Sequence, residues 1–269
     1  MNLCIDIGNS TIFCGIGDEI KIHYRFRHDC QSPFTSDQFG LFLIGFLQEN
    51  NIPRGSIKKI AICSVVPQLD YSVISACIKY VKIHPFVLKP GVKTKLKIKY
   101  RDPLEAGADR IADAMAACHH YPNKDIIVIN FGTATTFTVI NAQKDYLGGL
   151  IVPGLRLSMN ALENFTALIS PVEIVFSNSV VGRSTKECVQ NGLYFGHLSM
   201  IEGITQRIKH EVFNSKECVI IGTGGFSHLF AKAPLFTIIE PDLVLLGLLL
   251  SLKLNMSAEV TTENPVISS

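Results

Sequence analysis

Asp6 is the first carboxylate of the chain, and it stands where the apolar run Leu3-Cys4-Ile5 gives way to Gly8-Asn9-Ser10-Thr11. That pattern predicts a short buried strand, a tight turn and a returning strand. A carboxylate at a strand end, followed by small amide and hydroxyl residues, can hold a hydrated Mg²⁺ while turn N–H groups face a phosphate. Taken alone, the stretch is more simply an ordinary β-hairpin with an Asx-type turn.

The same pattern recurs. "CIDIGNSTIFCGI" (Cys4 to Ile16) reappears as "VINFGTATTFTVI" (Val128 to Ile140), aligning Ile5, Gly8, Thr11, Phe13 and Ile16 with Ile129, Gly132, Thr135, Phe137 and Ile140. Two such turns facing each other could clasp a polyphosphate through backbone N–H groups and the hydroxyls of Ser10, Thr11, Thr133 and Thr135. Neither is a P-loop. A third glycine turn, Gly222, Gly224 and Gly225 in "IIGTGG", lets backbone approach a flat ring or a phosphate, although a purely structural role explains it as readily.

The segment "YRDPLEAGADRIADA" gathers Tyr100, Asp102, Glu105, Asp109, Arg110 and Asp113 around a Gly-Ala turn that opens a helix. Asp109 there complements the helix dipole. With Arg110 it also suits a kinase, the carboxylate accepting a hydroxyl proton and the guanidinium holding an anion. Lys93, Lys95, Lys97 and Lys99 alternate with smaller or apolar residues and predict one solvated face of an edge strand. His119-His120 lacks nearby ligand partners and reads as helix-end histidines rather than a metal site.

Elements must position these groups, and the composition allows for them. The chain has 269 residues, 47% hydrophobic and 18% charged, enough for one large or two medium domains with well-buried cores. A net charge of +2 is too small to favour nucleic acid or a membrane surface. Eight scattered cysteines without a C-x-x-C pair fit reduced thiols in a cytosolic protein. No signal peptide is expected at the start, "LVLLGLLLSLKL" (Leu243 to Leu254) is too short to span a bilayer, and the polar stretch 257–269 is expected to fray. Strands are predicted over 57–67 and at "HPFVL", and helices over 70–81, 108–121, 156–169, 184–213 and after the "IIGTGG" turn. Strands alternating with helices make this an α/β chain, and the repeat suggests a duplicated domain with a cleft between the copies.

Taken in order, "DIGNST" at 6–11, "CSVVP" at 63–67, "GADRIADA" at 107–114, "NFGTATTF" at 130–137, "GGLIVPGL" at 148–155, "GRSTKECVQNGLYFG" at 182–196 and "GTGG" at 222–225 resemble one family nearly end to end. That family is the type III pantothenate kinases, members of the actin-like, ribonuclease-H-like ATPase superfamily. The resemblance implies two ribonuclease-H-like domains, 1–115 and 116–269, with a nucleotide cleft between them. It implies ATP-dependent phosphorylation of pantothenate to 4'-phosphopantothenate, the first step of coenzyme A biosynthesis. Asp109 would be the general base, and Asp6 would position Mg²⁺. The turn Asp6, Ile7, Gly8, Asn9, Ser10, Thr11, Ile12 and Phe13 would bind ATP phosphates, with Thr133 on the second turn and Gly224 and Gly225 at the adenosine. Tyr100, Gly107, Ala108, Asp109, Arg110 and Thr185 would surround pantothenate. A monovalent cation (K⁺ or NH₄⁺), a homodimer and a cytoplasmic location are implied as well.

Three residues depart from the family pattern. Asn130 stands where the second turn normally opens with Asp, a carboxylate associated with the monovalent cation, so a metal site there is expected to lack a full negative charge. Ser10 replaces the more usual Thr and keeps the hydroxyl, and Asp102 replaces a usual Asn. The alternatives are another small-molecule kinase of the superfamily, or a nucleotide-binding paralogue with weak or no kinase activity acting as a regulatory or accessory protein.

Overall fold

The opening hairpin forms, β1 (Asn2–Ile7) returning as β2 (Thr11–Gly17) and then β3 (Ile22–Asp29). The structure is a computed structural model that describes residues 1–30 and 32–256, so the stretch 257–269 lies outside the described residues. Helix α1 (Ser36–Glu49), strand β4 (Lys59–Ser64), helix α2 (Pro67–Ala76) and strand β5 (Phe86–Val87) complete the first sheet. Its order is β3-β2-β1-β4-β5, with β4 and β5 parallel to β1. The strand expected over 57–67 is shorter because Pro67 opens α2, where its missing N–H leaves no bond unmade.

Strand β6 (Lys97–Ile98) and helix α3 (Ala108–His120) lead into the second sheet. There follow β7 (Ile126–Phe131), β8 (Ala134–Ile140), β9 (Asp145–Pro153), α4 (Leu155–Phe165), α5 (Thr185–Phe213), β10 (Val219–Thr223), β11 (Ile238–Ile239) and α6 (Leu243–Asn255). The order is β11-β10-β7-β8-β9-β6, which, without β6, repeats the order and polarity of the first sheet. β6 forms the edge, and the four lysines of its stretch are exposed, although only two residues pair.

The two hairpins are not superposable residue for residue. Asp6 pairs with Phe13, whereas Asn130 pairs with Thr136 rather than Phe137. The cause is turn length: Gly8-Asn9-Ser10 separates the first pair of strands, and only Gly132-Thr133 the second. The ungapped match of Thr11, Phe13 and Ile16 with Thr135, Phe137 and Ile140 is therefore displaced by one position on the returning strand. It goes unnoticed in sequence because both sheets are covered on both faces, so either register buries apolar side chains.

Two other elements are shorter than expected. α4 stops at Phe165 because Thr166 turns extended and its hydroxyl bonds the Leu162 carbonyl at 2.7 Å. After the "IIGTGG" turn there is only a single 3₁₀ turn, Ser227–Phe230, since Pro234 ahead disfavours a continuing helix.

The layers explain where the polar groups go. α1 and α2 cover the outer face of the first sheet, Phe39, Leu43 and Val73 meeting Leu3, Ile5 and Ile7. α5 and α4 cover the outer face of the second, Leu193, Ile201 and Met159 meeting Ile127, Ile129 and Phe131. α3 and α6 lie in the middle and serve both sheets, packing on Cys4, Phe13 and Ala61 on one side and on Ile126, Val128 and Tyr146 on the other. Strand alternation then sends Asp6, on the face of Cys4, and Asn130, on the face of Val128, toward the α3 layer. α6 is apolar nearly all round because it is buried nearly all round, Lys253 in its last turn being its one exposed residue.

α3 and α6 touch at the backbone. A Cβ on Gly247 would collide with the backbone of Ala112. Gly247→Ala should destabilise the fold by about 1–3 kcal/mol, the range for forced volume in a packed interior, although alanine is the better helix former by about 1 kcal/mol. Urea unfolding checks this, and a variant as stable as the wild type would mean that the helices separate without cost.

Candidate active site

Gly107 caps α3 in an extended conformation, and a Cβ there would come within 2.7 Å of the Asp109 carboxylate. Asp109 accepts the Arg110 backbone N–H (2.8 Å), and among the described residues it makes no ion pair. Asp113 lies one turn further along and so on the same face of the helix. From the first sheet, Asp6 arrives beside them, with Cys63, its cross-strand partner on β4, donating its Sγ–H to Oδ1 at 3.2 Å. From the second sheet, the Asn130 amide donates to Asp113 Oδ2 at 2.9 Å. Asp113 is 1% exposed, and its other oxygen, Oδ1, has no hydrogen-bond partner.

The acids raise one another. Removal from water, and then the charge of Asp109, push the Asp6 carboxyl up to about 7, against the opposing Cys63 bond and the Arg27 charge. Burial also raises Asp109, opposed by the Arg110 N–H and charge. Asp113 is pushed well above the usual carboxylate range by burial and by the charges of Asp109 and Asp6, with Asn130 and Arg110 pulling the other way.

Arg110 departs from the expected partnership with Asp109. Its guanidinium turns toward the second sheet, 6% exposed, donating to Thr138 Oγ1 (3.2 Å), the Phe137 carbonyl (3.0 Å) and the Tyr100 hydroxyl (2.8 Å). Three of its five N–H donors are engaged this way. Tyr100 in turn packs edge-on against Tyr146, with ring centroids 5.4 Å apart. Ala108 is buried at the start of the helix. Asp102 spends a carboxylate oxygen on the Leu104 N–H of the preceding 3₁₀ turn and stays exposed.

The two hairpin turns meet directly, Ser10 Oγ lying 2.7 Å from Thr133 Oγ1. Asn9, Thr11 and Thr133 are exposed, and Gly8 is fixed by the Thr11 carbonyl. Ile7 and Ile12 are fully buried in the core, and Phe13 lies under the Arg27 guanidinium at 4.0 Å, so only their backbone is available to a ligand. Thr135, expected to offer a hydroxyl, is 1% exposed: the register displacement puts it at the place of Ile12. Gly224, at φ +88°, abuts the second turn so closely that a Cβ would come within 2.5 Å of Asn130 Oδ1, whereas Gly225 faces open space.

Among the described residues, Thr185 shares the cavity it lines with none of these side chains. It begins α5, after Ser184 has capped the helix, and it lines a cavity of about 440 Å³ with Ser158, Cys188 and His197, none of them among the expected site residues. Sequence reasoning missed Cys63 and the role of Asp113. Both were signalled, Asp113 by its spacing from Asp109 and Cys63 by following an apolar strand that could pair with β1.

Among the described residues no three His, Cys, Asp or Glu side chains converge closely enough to hold a metal ion alone. The donors nevertheless suit Mg²⁺, which keeps several waters and takes one or two carboxylates plus phosphate oxygens. Asp6 is half-buried, repelled by a neighbouring carboxylate, and has one oxygen outside the Cys63 bond.

Residues 2–207 match the sequence profile of the type III pantothenate kinase family. A type III pantothenate kinase of Legionella pneumophila (strain Paris) is 56% identical over 257 residues, 95% of this chain and 99% of that protein. One from Elusimicrobium minutum is 41% identical over 96% of this chain and 100% of its own length. Among solved structures, a putative 2-dehydro-3-deoxygalactonokinase from Sinorhizobium meliloti aligns over 100% of both chains with TM-score 0.57 at 13% identity, a likeness of fold. With the repeated sheet order, that likeness makes this a duplicated ribonuclease-H-like α/β fold.

The acid cluster carries a cost that pH reveals. Between about pH 4, the ordinary carboxylate range, and pH 7, the unfolded chain holds Asp6 ionised while the folded chain keeps it protonated. Stability therefore falls as pH rises through that window. Asp6→Asn removes the burden, so without nucleotide or divalent cation its thermal midpoint should exceed that of the wild type at pH 8 and converge with it near pH 4. Equal midpoints at pH 8 would show that Asp6 bears no such penalty.

Proposed function

The chain belongs to the type III pantothenate kinase family, and from that membership we infer that it transfers the γ-phosphoryl group of ATP to the primary hydroxyl of pantothenate, the first step of coenzyme A biosynthesis. The observation that carries the division of roles is the meeting of Asp109 and Asp6 at the start of α3, beside two hairpin turns in mutual contact. Growth of a strain lacking its own pantothenate kinase, rescued by this chain, tests the activity. Another small-molecule kinase or an inactive paralogue gains no specific observation.

Asp109 is the general base. One of its oxygens is occupied by the Arg110 N–H, which fixes the carboxylate and leaves the other to take the hydroxyl proton. Its raised proton affinity makes it a stronger base than a solvated carboxylate, provided that it is ionised when substrate binds. Asp6 would hold the Mg²⁺ that accompanies ATP, an ion that would neutralise charge on the transferred group. Ser10 and Thr133 exchange their mutual hydrogen bond for phosphate oxygens, joined by N–H groups of Asn9 and Thr11. Gly224 and Gly225 take the adenosine. Tyr100, Gly107, Ala108 and the two remaining donors of Arg110 bound the pantothenate site, with Thr185 added on family resemblance alone. The units 1–115 and 116–269 would close on the substrates, with α3 between them.

A homodimer is supported by exposed apolar side chains along the stretch 151–181: Ile151 on β9, Phe165 (88% exposed) at the end of α4, and Leu168 (91% exposed), Val180 and Val181 ahead of α5. A cytoplasmic location fits the eight unpaired cysteines.

Asp109→Asn should retain ATP binding and lower kcat by about 10²–10⁴-fold, measured with labelled ATP. Near-wild-type turnover would remove Asp109 from the proton transfer. The double substitution Phe165→Asp and Leu168→Asp should convert a dimer to a monomer in light scattering at micromolar concentration, and an unchanged mass would place the interface elsewhere.

A further inference from the structure

Among the described residues Arg110 is a buried cation, 6% exposed, with no carboxylate in ion-pair contact. A guanidinium so placed needs other compensation. Part of it comes from β9. Arg110 Cζ lies 5.7 Å from the centroid of the Tyr146 ring and 6.0 Å from that of Tyr100, within reach of a cation–π attraction. Tyr146 is fully buried, and none of the three hydrogen bonds of Arg110 goes to its hydroxyl, so the ring makes the contact. Further along β9, a Cβ on Gly149 would come within 2.9 Å of Arg110 Nη2, and one on Gly148 would touch the Tyr100 ring at 3.4 Å. β9 thus seats the guanidinium with one large ring and one missing side chain. The bonds to Thr138, the Phe137 carbonyl and Tyr100 use Nε and one N–H of each terminal nitrogen, so one donor remains on Nη1 and one on Nη2.

We propose that Tyr146 is a positioning residue for recognition of the acceptor's carboxylate, its ring holding the Arg110 guanidinium so that the two remaining donors stay directed to one anion. A guanidinium answers a carboxylate best through two N–H groups at once, and that match is lost when the group turns. Hydrogen bonds to Thr138 and the Phe137 carbonyl anchor the group to β8. The Tyr146 ring attracts its charge and fills the space beside it. A leucine there would do neither, being smaller and without a π face. Tyr146 acts through Arg110 and not on the substrate itself. The inference deepens the pantothenate kinase reading and rests on it for the identity of the anion.

Steady-state kinetics of Tyr146→Leu and Tyr146→Phe test it, with pantothenate and with pantothenyl alcohol, the analogue whose carboxylate is reduced to an alcohol. In Tyr146→Leu the KM for pantothenate should rise by about 3–30-fold, the equivalent of one buried cation–π contact, while kcat and the KM for ATP hold within about twofold. The preference for pantothenate over the alcohol should shrink by the same factor, a change that lost stability alone does not bring. Tyr146→Phe, which keeps the ring, should keep both values. If Tyr146→Leu does not fold, Tyr146→Met, unbranched and without a π face, replaces it. An unchanged KM, a rise shared by the alcohol, or a Tyr146→Phe variant as impaired as Tyr146→Leu overturns the proposal. Calorimetric titration of pantothenate into each variant without ATP separates the two readings. Binding that depends on the ring, without phosphorylation, overturns the kinase and not the positioning role, and phosphorylation indifferent to the ring does the reverse. A wild type that neither binds nor phosphorylates pantothenate overturns both.

Discussion

Placing Asp109, Arg110 and Asp113 on a helix that lies between two sheets is the constraint to which the rest of the molecule answers. Charges in such a layer need partners, and the partners come from every element around α3: Cys63 and Arg27 for Asp6, Asn130 for Asp113, and Thr138, Tyr100 and a strand carbonyl for Arg110. The compensation is lopsided. The guanidinium has three of its five donors engaged, whereas the carboxylates repel one another and keep oxygens in reserve. The alanines of α3 follow from the same demand, since a helix serving two sheets and touching α6 at the backbone has no room for larger side chains.

Duplication makes the arrangement possible, and divergence between the copies makes it useful. Strand alternation aims the last polar residue of β1 and of β7 at the same helix from opposite sides. One copy delivers a carboxylate and the other an amide. A turn one residue shorter in the second copy withdraws Thr135 into the core while leaving Thr133 at the surface, within reach of Ser10. Two nearly equal hairpins thus present unequal chemistry to the space between them.

Much of this was legible in the residues. Hydrophobic periodicity set the α/β class, the two hairpins and the apolar last helix; Asp6 stood out as a carboxylate at the end of an apolar strand, and Asp109 by its arginine neighbour and the Gly-Ala turn that opens its helix. What remained hidden has a common physical character. The register displacement left no trace because either register buries the same kinds of side chain. The inward turn of the Arg110 guanidinium, and the bond from Asn130 to Asp113, depend on rotamers and on contacts between separate elements, which spacing along the chain does not encode. Gly224 shows the converse: a glycine that suggested a ligand is required first by the close approach of its own turn to Asn130.

The position of α6 bears on how the chain is made. It follows every other described element in sequence, yet its leucines complete the inner face of the first sheet, against Cys4, Phe13 and Ala61. During synthesis the earliest strands leave the ribosome with that face bare; α3 covers part of it, and the rest waits for α6. The first half therefore cannot mature as an independent vectorial folding unit. A chain arrested before α6 would present to chaperones and proteases the part of the apolar sheet that α3 leaves uncovered.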